Sequence, residues 1–125
     1  MKKQAIAVMI VIVCGTALTS SGAAATDKFL RLSGSQIRAK FAGMQMTDEV
    51  HWRDVYQRDG VLRTESMGRK TAGKWRIDKD ELCLDIDPPD GGCFEVWLSG
   101  NKVRMKPSGL GSPLEGVLET PTDRN

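Results

Sequence analysis

The chain has 125 residues, with 18 lysines and arginines, 16 aspartates and glutamates and a single histidine. This length suits one domain and no more. Because these charges nearly balance, the chain lacks the large positive charge that nucleic-acid binding needs, which excludes nucleic acid as a partner.

The first 25 residues have the pattern of a secretory signal peptide. Two lysines precede an apolar run over residues 5–13, and three alanines at 23–25 supply the small residues that a signal peptidase requires. A transmembrane helix needs about 20 mostly apolar residues, and this run gives way to glycine, threonine and serine too early. We predict cleavage of residues 1–25 and no membrane span afterwards. The leader takes two of the 18 basic residues, so the mature chain has 16 of each sign.

Cys14 raises the alternative of a lipid-modified N-terminus. Val13 stands before it, where a lipoprotein signal has glycine, alanine or serine, so complete removal of the leader is the preferred interpretation. Export predicts a periplasmic or secreted protein, in a compartment where disulfides form.

Residues 33–42 carry a helix signature. Ser33 is a good N-cap and Gln36 completes a capping box. Ile37 and Phe41 share one face, so we predict one short helix that docks on the rest of the domain.

After the helix, apolar residues alternate with polar ones, and turn residues recur about every eight to twelve positions. The predicted strands are 44–47, 50–57, 61–67, 73–79, 81–86, 93–99, 102–106 and 114–120. We predict a mainly β fold: about eight antiparallel strands as a small up-and-down barrel or curved sheet, with one short N-terminal helix. A two-sheet sandwich is the alternative. Residues 26–125 form the single domain, with a flexible C-terminal tail.

The alternation of side-chain direction along a strand predicts that one acid, Asp54, points into the interior among aromatic residues. Val50, Trp52, Asp54 and Tyr56 share the inward face of their strand, and Trp75 points inward from another. A buried carboxylate is costly unless it is paired or hydrogen-bonded. One interpretation is that Asp54 accepts bonds from the backbone or a tyrosine hydroxyl. The functional alternative is a ligand mouth formed by Trp52, Asp54, Tyr56 and Trp75.

The sequence gives little support to an enzyme. His51 has outward parity, and a histidine-based triad would also need a nucleophile and an orienting acid. No spacing singles out a pair of carboxylates for acid–base work. We predict no catalytic residue and no cofactor.

Cys83 and Cys93 flank an acidic turn and share outward parity, as a bridge across a hairpin requires. A redox pair would favour the Cys-x-x-Cys spacing, so we predict a structural disulfide.

The acids within residues 78–90 resemble the start of a calcium loop. Counted from Asp85, however, the fifth position is proline and the twelfth is valine. A weak calcium site is the less favoured interpretation, zinc is less favoured still, and no metal ligand is assigned.

The order of these features resembles that in a group of short exported proteobacterial proteins known only as a domain of unknown function. The similarity covers residues 32–106, and its most specific part is Gly73 and Trp75 followed by Cys83 and Cys93. The resemblance implies an exported, disulfide-containing, mostly β domain, and it carries over no catalytic residue.

Together these features predict a non-enzymatic exported binding or interaction module of the cell envelope, with an envelope protein or a small hydrophobic ligand as partner. The alternative is a structural or inhibitory partner protein of an envelope enzyme, and a small enzyme comes last. Lys102, Arg104 and Lys106 form an outer basic stripe, which is either a solvated face or a contact for an acidic partner.

Overall fold

Short segments in which apolar and polar residues alternate, joined by tight turns, form nine strands after the predicted leader. The structure, a computed structural model, describes Gly15 and residues 27–122. Apart from Gly15, the predicted signal peptide lies outside the described residues, as do the Cys14 alternative and residues 123–125. The elements are β1 (Leu30–Arg31), α1 (Gly34–Phe41), β2 (Met44–Thr47), β3 (Trp52–Tyr56), β4 (Val61–Ser66), β5 (Arg69–Asp78), β6 (Glu81–Asp85), β7 (Gly92–Ser99), β8 (Lys102–Pro107) and β9 (Leu114–Glu119).

Strands β2 to β9 close into an eight-stranded antiparallel barrel. Each pairs with the next along the chain, and β9 pairs with β2, as in an up-and-down barrel. The prediction of a small barrel with one short helix is confirmed, and the curved sheet and the sandwich are excluded. The two-residue strand β1, which the sequence did not predict, adds to β7 beside Trp97 and Leu98.

Two strand starts differ from the prediction by two residues or more. Residues 69–72, expected in a connection, belong to β5, because a two-residue turn at Met67 and Gly68 leads straight into it. Val50 was predicted to point inward, and this is wrong. β3 begins only at Trp52, so Val50 lies in the preceding turn and its side chain is exposed.

Helix α1 covers one end of the barrel, here called the helix end. Ser33 and Gln36 form the predicted capping box, and the Asp80 carboxylate accepts a hydrogen bond from the Gly34 backbone N–H at 2.8 Å. A side chain at position 34 would lie 2.1 Å from the Lys79 carbonyl oxygen, so only glycine allows this close approach. The helix thereby buries Ile37 and Phe41 completely.

The opposite end, which α1 leaves uncovered, is called the open end. The turns after β2, β4, β6 and β8 meet there, because strand directions alternate around the barrel. Just inside this end, the Trp52 indole approaches β9, where a side chain at position 116 would lie 3.1 Å from its Cη2 atom. Gly116 therefore makes room for Trp52.

The cysteines link β6 to β7. Cys83 and Cys93 are direct register partners, and their sulfurs are bonded to each other. A cross-link over a sequence separation of 10 residues stabilises a domain by about 2–3 kcal/mol in the chain-entropy model.

Candidate functional site

The strongest candidate region is the open end, where Asp54 lies on the interior face of β3. Its register partners are Met46 on β2 and Thr64 on β4. The carboxyl is half-buried, and among residues 27–122 it receives no hydrogen bond. Burial raises the pKa of Asp54 to about 7, and the negative charge of Asp90 in the β6–β7 turn adds to the rise.

The four predicted mouth residues all point into the barrel, but they are divided between its two ends. Trp52 and Asp54 lie towards the open end. Tyr56 and Trp75 are buried at the helix end, where the two rings and Phe41 form consecutive edge-to-face contacts with centroids 5.0 and 5.7 Å apart. The Trp75 indole N–H donates to the Gln57 carbonyl at 2.8 Å, which fixes that ring as part of the core.

The Tyr56 hydroxyl connects the two regions. It is completely buried and has no hydrogen-bond partner in the described part of the chain. Burial, together with the nearby charge of Asp54, raises the pKa of Tyr56 well above its usual value. A buried polar group without a partner is uncommon in proteins, so Asp54 and Tyr56 are the polar residues of the barrel interior that most need a functional explanation.

The turn before β3 is organised by Asp48. Its Oδ1 atom accepts hydrogen bonds from the backbone N–H groups of Val50, His51 and Trp52 at 3.0, 2.7 and 3.0 Å. Its Oδ2 atom lies 2.8 Å from Nδ1 of His51. Burial alone would raise the pKa of Asp48, but these hydrogen bonds outweigh it and hold the pKa well below the usual value. His51 therefore contributes to the structure of this turn.

A groove runs along the outer face beside the same turn. Gln45 and Thr47 point outward from β2 yet are buried, and the segment after β9 lies near them, since Arg53 Nη1 donates to the Thr122 carbonyl at 3.2 Å. This outer groove has a volume of about 620 Å³ and is lined by Gln45, Arg53, Glu119 and the turns around Val50 and Met67.

The floor of the outer groove contains an unpaired acceptor. Gln45 is 2% exposed, and its Nε2 donates to Glu119 Oε1 at 2.7 Å. Its Oε1 is buried with no partner in residues 27–122. Sequence reasoning missed this pair because the two residues are 74 positions apart and neither belongs to a motif.

Two exposed apolar residues flank the outer groove. Val50 is 79% exposed and Met67 is 78% exposed, and the Met67 backbone N–H donates to the His51 carbonyl at 2.9 Å, which joins their turns. Met67 and Glu49 have φ angles of 52° and 72°. This left-handed region is uncommon for residues other than glycine.

Several acids of residues 78–90 have other partners. Asp78 and Asp85 lie 3.8 and 3.4 Å from the Arg76 guanidinium, and Asp80 caps the helix. Among the described residues, the one group of three with metal-ligand spacing is Glu81 with Cys83 and Cys93. Both of those sulfurs are held in the disulfide.

The outer basic stripe packs against nearby side chains. Lys102 Nζ lies 2.6 Å from Asp27. Arg104 pairs with Glu115 at 2.8 Å and its guanidinium also lies over Phe29. These contacts tie the segment before β1 to β8 and β9.

Within residues 27–122, no helix has both the length and the apolar character needed to cross a membrane. Comparison with protein-family models, with curated proteins and with solved structures finds no match to this chain. The resemblance of residues 32–106 to a group of exported proteins therefore stays a prediction.

Proposed function

We propose that the protein is an exported, non-enzymatic binding module of the cell envelope, whose ligand enters the open end of the barrel and reaches Asp54. The observation that carries this proposal is the interior carboxyl without a hydrogen-bond partner among the described residues, next to the buried and unpaired Tyr56 hydroxyl. An eight-stranded barrel is just wide enough to hold one small ligand.

The chemistry of this position favours a small, mostly apolar ligand with one hydrogen-bond donor. A carboxylate in a partly desolvated site binds a donor more strongly when the donor is charged, so a primary amine fits best. Trp52 supplies an aromatic surface at the same end, and such surfaces contribute most of the area in small-ligand sites.

Two further observations support the non-enzymatic and exported parts of the proposal. The ring of His51 and the carboxylate of Asp48 are engaged with each other in the turn, which gives both a structural role. The disulfide between Cys83 and Cys93 fits an oxidising compartment, such as the periplasm or the cell exterior.

Tryptophan fluorescence tests this proposal with two probes of similar shape, hexylamine and 1-hexanol. At pH 8, above the pKa of about 7 for Asp54, hexylamine should bind about tenfold more tightly than hexanol. In the Asp54→Asn variant the two probes should bind equally, because the charged acceptor is gone. The Trp52→Phe variant should lose the fluorescence response.

The matched control is Asp87→Asn, which removes an exposed carboxyl from the β6–β7 turn at the same end of the barrel. It should keep the preference for hexylamine. If neither probe changes the fluorescence up to millimolar concentration, or if Asp87→Asn abolishes the preference as fully as Asp54→Asn, the proposed ligand site is wrong.

A second candidate function is that of a structural or inhibitory partner protein of an envelope enzyme. The observation that favours it is the pair of exposed apolar residues, Val50 and Met67, beside the outer groove. Exposed apolar residues grouped around a concave surface are typical of protein interaction sites.

A further inference from the structure

The outer groove lies on the other side of the barrel wall from Asp54, and Trp52 is the residue that borders both regions. Gln45, which forms its floor, points outward from β2, whereas Asp54 points inward from β3. Between them lies the sheet itself, so the occupant of the groove goes beyond the ligand site at Asp54, and it rests on the second candidate function, that of a partner protein.

The hydrogen-bonding groups of the groove include acceptors that lack a donor. Glu119 holds the Nε2 atom of Gln45, because a carboxylate repels the amide oxygen and attracts its NH₂ group. This fixes the orientation of the amide and leaves Oε1 of Gln45 as the acceptor without a partner among the described residues. Gln45 Oε1 thus lacks a donor within residues 27–122, and the second oxygen of Glu119 is available as an acceptor beside it.

The charge of the groove is also unbalanced. Arg53 is paired with Glu65 at 2.6 Å, whereas Glu49 and Glu119 have no cationic side chain within 4.0 Å in the described part of the chain. A positively charged group complements such a surface and speeds association with it.

The rim of the groove is apolar on one side. Val50 and Met67 are exposed on two turns that a backbone hydrogen bond holds together. Both turns include a residue with left-handed φ, at Glu49 and Met67. Such backbone conformations cost free energy and are concentrated at ligand-binding sites.

We propose that the outer groove binds a segment of a partner protein in which an arginine is flanked by apolar side chains. Arginine fits better than lysine because its planar guanidinium presents several N–H donors at fixed angles. One guanidinium can therefore donate to the free oxygen of Glu119 and, after a small shift of the buried Gln45 amide, to Gln45 Oε1 as well. The flanking apolar side chains pack on Val50 and Met67.

Fluorescence anisotropy with two labelled peptides tests this inference. One is an eight-residue peptide of alternating leucine and arginine, and the other has citrulline, a neutral residue of the same shape, at each arginine position. The full-length protein should bind the arginine peptide about tenfold more tightly than the citrulline peptide. Glu119→Gln, which keeps an acceptor for Gln45 Nε2, should remove most of this difference, and Met67→Ser should weaken both peptides.

The chain offers a matched control for each substitution. Glu115→Gln alters an outward acid on the same strand, away from the groove, and Leu110→Ser alters an exposed apolar residue in another turn at the open end. Both control variants should bind like the unmodified protein.

Several results would overturn the inference. They include no binding of the arginine peptide at 1 mM, equal affinity for the two peptides, and an equal loss in Glu115→Gln and Glu119→Gln. A dimer in sedimentation that Met67→Ser dissociates would assign the groove to a second copy. Tighter binding by a chain ending at Thr122 would assign it to residues 123–125. Hexylamine binding at Asp54 is unaffected by these results, so the two proposals fail separately.

Discussion

The two ends of the barrel differ in how their polar groups are satisfied. At the helix end, Ser33 and Gln36 cap the helix reciprocally, Asp80 accepts the Gly34 N–H, and the Trp75 indole N–H has a carbonyl partner. Towards the open end, the Asp54 carboxyl lacks a hydrogen-bond partner among the described residues, and so does Oε1 of Gln45 on the outer face. The exception at the helix end is the Tyr56 hydroxyl, which is also unpaired in the described part of the chain.

The apolar side chains show the same contrast. Ile37 and Phe41 are fully buried under the helix end, whereas Val50 and Met67 are exposed at the open end. We therefore expect the helix end to contribute most of the stability, and we propose the open end as the region for binding. The helix end supplies packing free energy, and the open end keeps polar and apolar groups available at the expense of some stability.

Replacing an aromatic side chain of the core by alanine should show most strongly that the two ends contribute differently to stability. Phe41→Ala removes a fully buried ring in edge-to-face contact with Tyr56, and large-to-small core substitutions of this kind cost about 3–5 kcal/mol. Urea denaturation should measure that loss in the free energy of unfolding. Met67→Ala at the open end should change it by less than about 0.5 kcal/mol.

Equal losses in these two variants would contradict the division of roles between the two ends. Met67 would then contribute to packing despite its exposure. Leu110→Ala is the matched control, because Leu110 is also exposed in a turn at the open end but lies outside the outer groove. It should behave as Met67→Ala does.

The Asp54 carboxyl should make stability depend on pH in an unusual direction. Its pKa is about 7 in the folded protein and 3.8 in an ordinary environment, so the folded state holds the proton more tightly. The free energy of unfolding should therefore fall as pH rises from about 4 to about 7 and then level off. Asp54→Asn removes this loss and should be about 1–3 kcal/mol more stable than the unmodified protein at pH 8.

Asp48 provides the opposite case at the same end. Its pKa lies below the usual value because hydrogen bonds hold the charged form, despite the contrary effect of burial. The stability it contributes is present at neutral pH and is lost in acid, so Asp48→Asn should be less stable than the unmodified protein at pH 7. Urea denaturation at pH 4 and pH 8 checks Asp54→Asn, and urea denaturation at pH 2 and pH 7 checks Asp48→Asn, because the Asp48 contribution is lost only below the ordinary pKa of 3.8. A less stable Asp54→Asn at pH 8 would mean that a cation pairs with this carboxylate.

Much of the fold could be predicted because its signals are local. Alternation and turn residues indicated eight of the nine strands, Ser33 and Gln36 indicated the helix start, and the outward parity of Cys83 and Cys93 indicated the bridge. Inward parity also identified Asp54. Each inference used residues within a few positions of one another, where backbone geometry alone relates side-chain direction to sequence.

The remaining features depend on closure of the barrel. The contact between Gln45 and Glu119 exists because β9 pairs with β2, which no local pattern reveals. The inward direction predicted for Val50 was wrong because its apolar side chain continues the alternating pattern of β3. In the structure, Asp48 accepts hydrogen bonds from the backbone N–H groups of the turn, so the strand begins only after Val50. The placement of Tyr56 and Trp75 at the helix end likewise required knowing where α1 docks.

The smallest effect expected concerns the cap of the helix. In Ser33→Ala the hydroxyl that accepts the Gln36 N–H at 3.3 Å is lost, and N-cap substitutions of this type cost about 1 kcal/mol. Lys40→Ala, an exposed position of the helix away from the cap, is the control and should be close to neutral because alanine favours helix interiors. Hydrogen exchange should show faster exchange in α1 for Ser33→Ala, with the turns of the open end unchanged. Equal acceleration at both ends would mean that the helix end and the open end unfold as one unit, which would remove the basis for assigning stability to one and binding to the other.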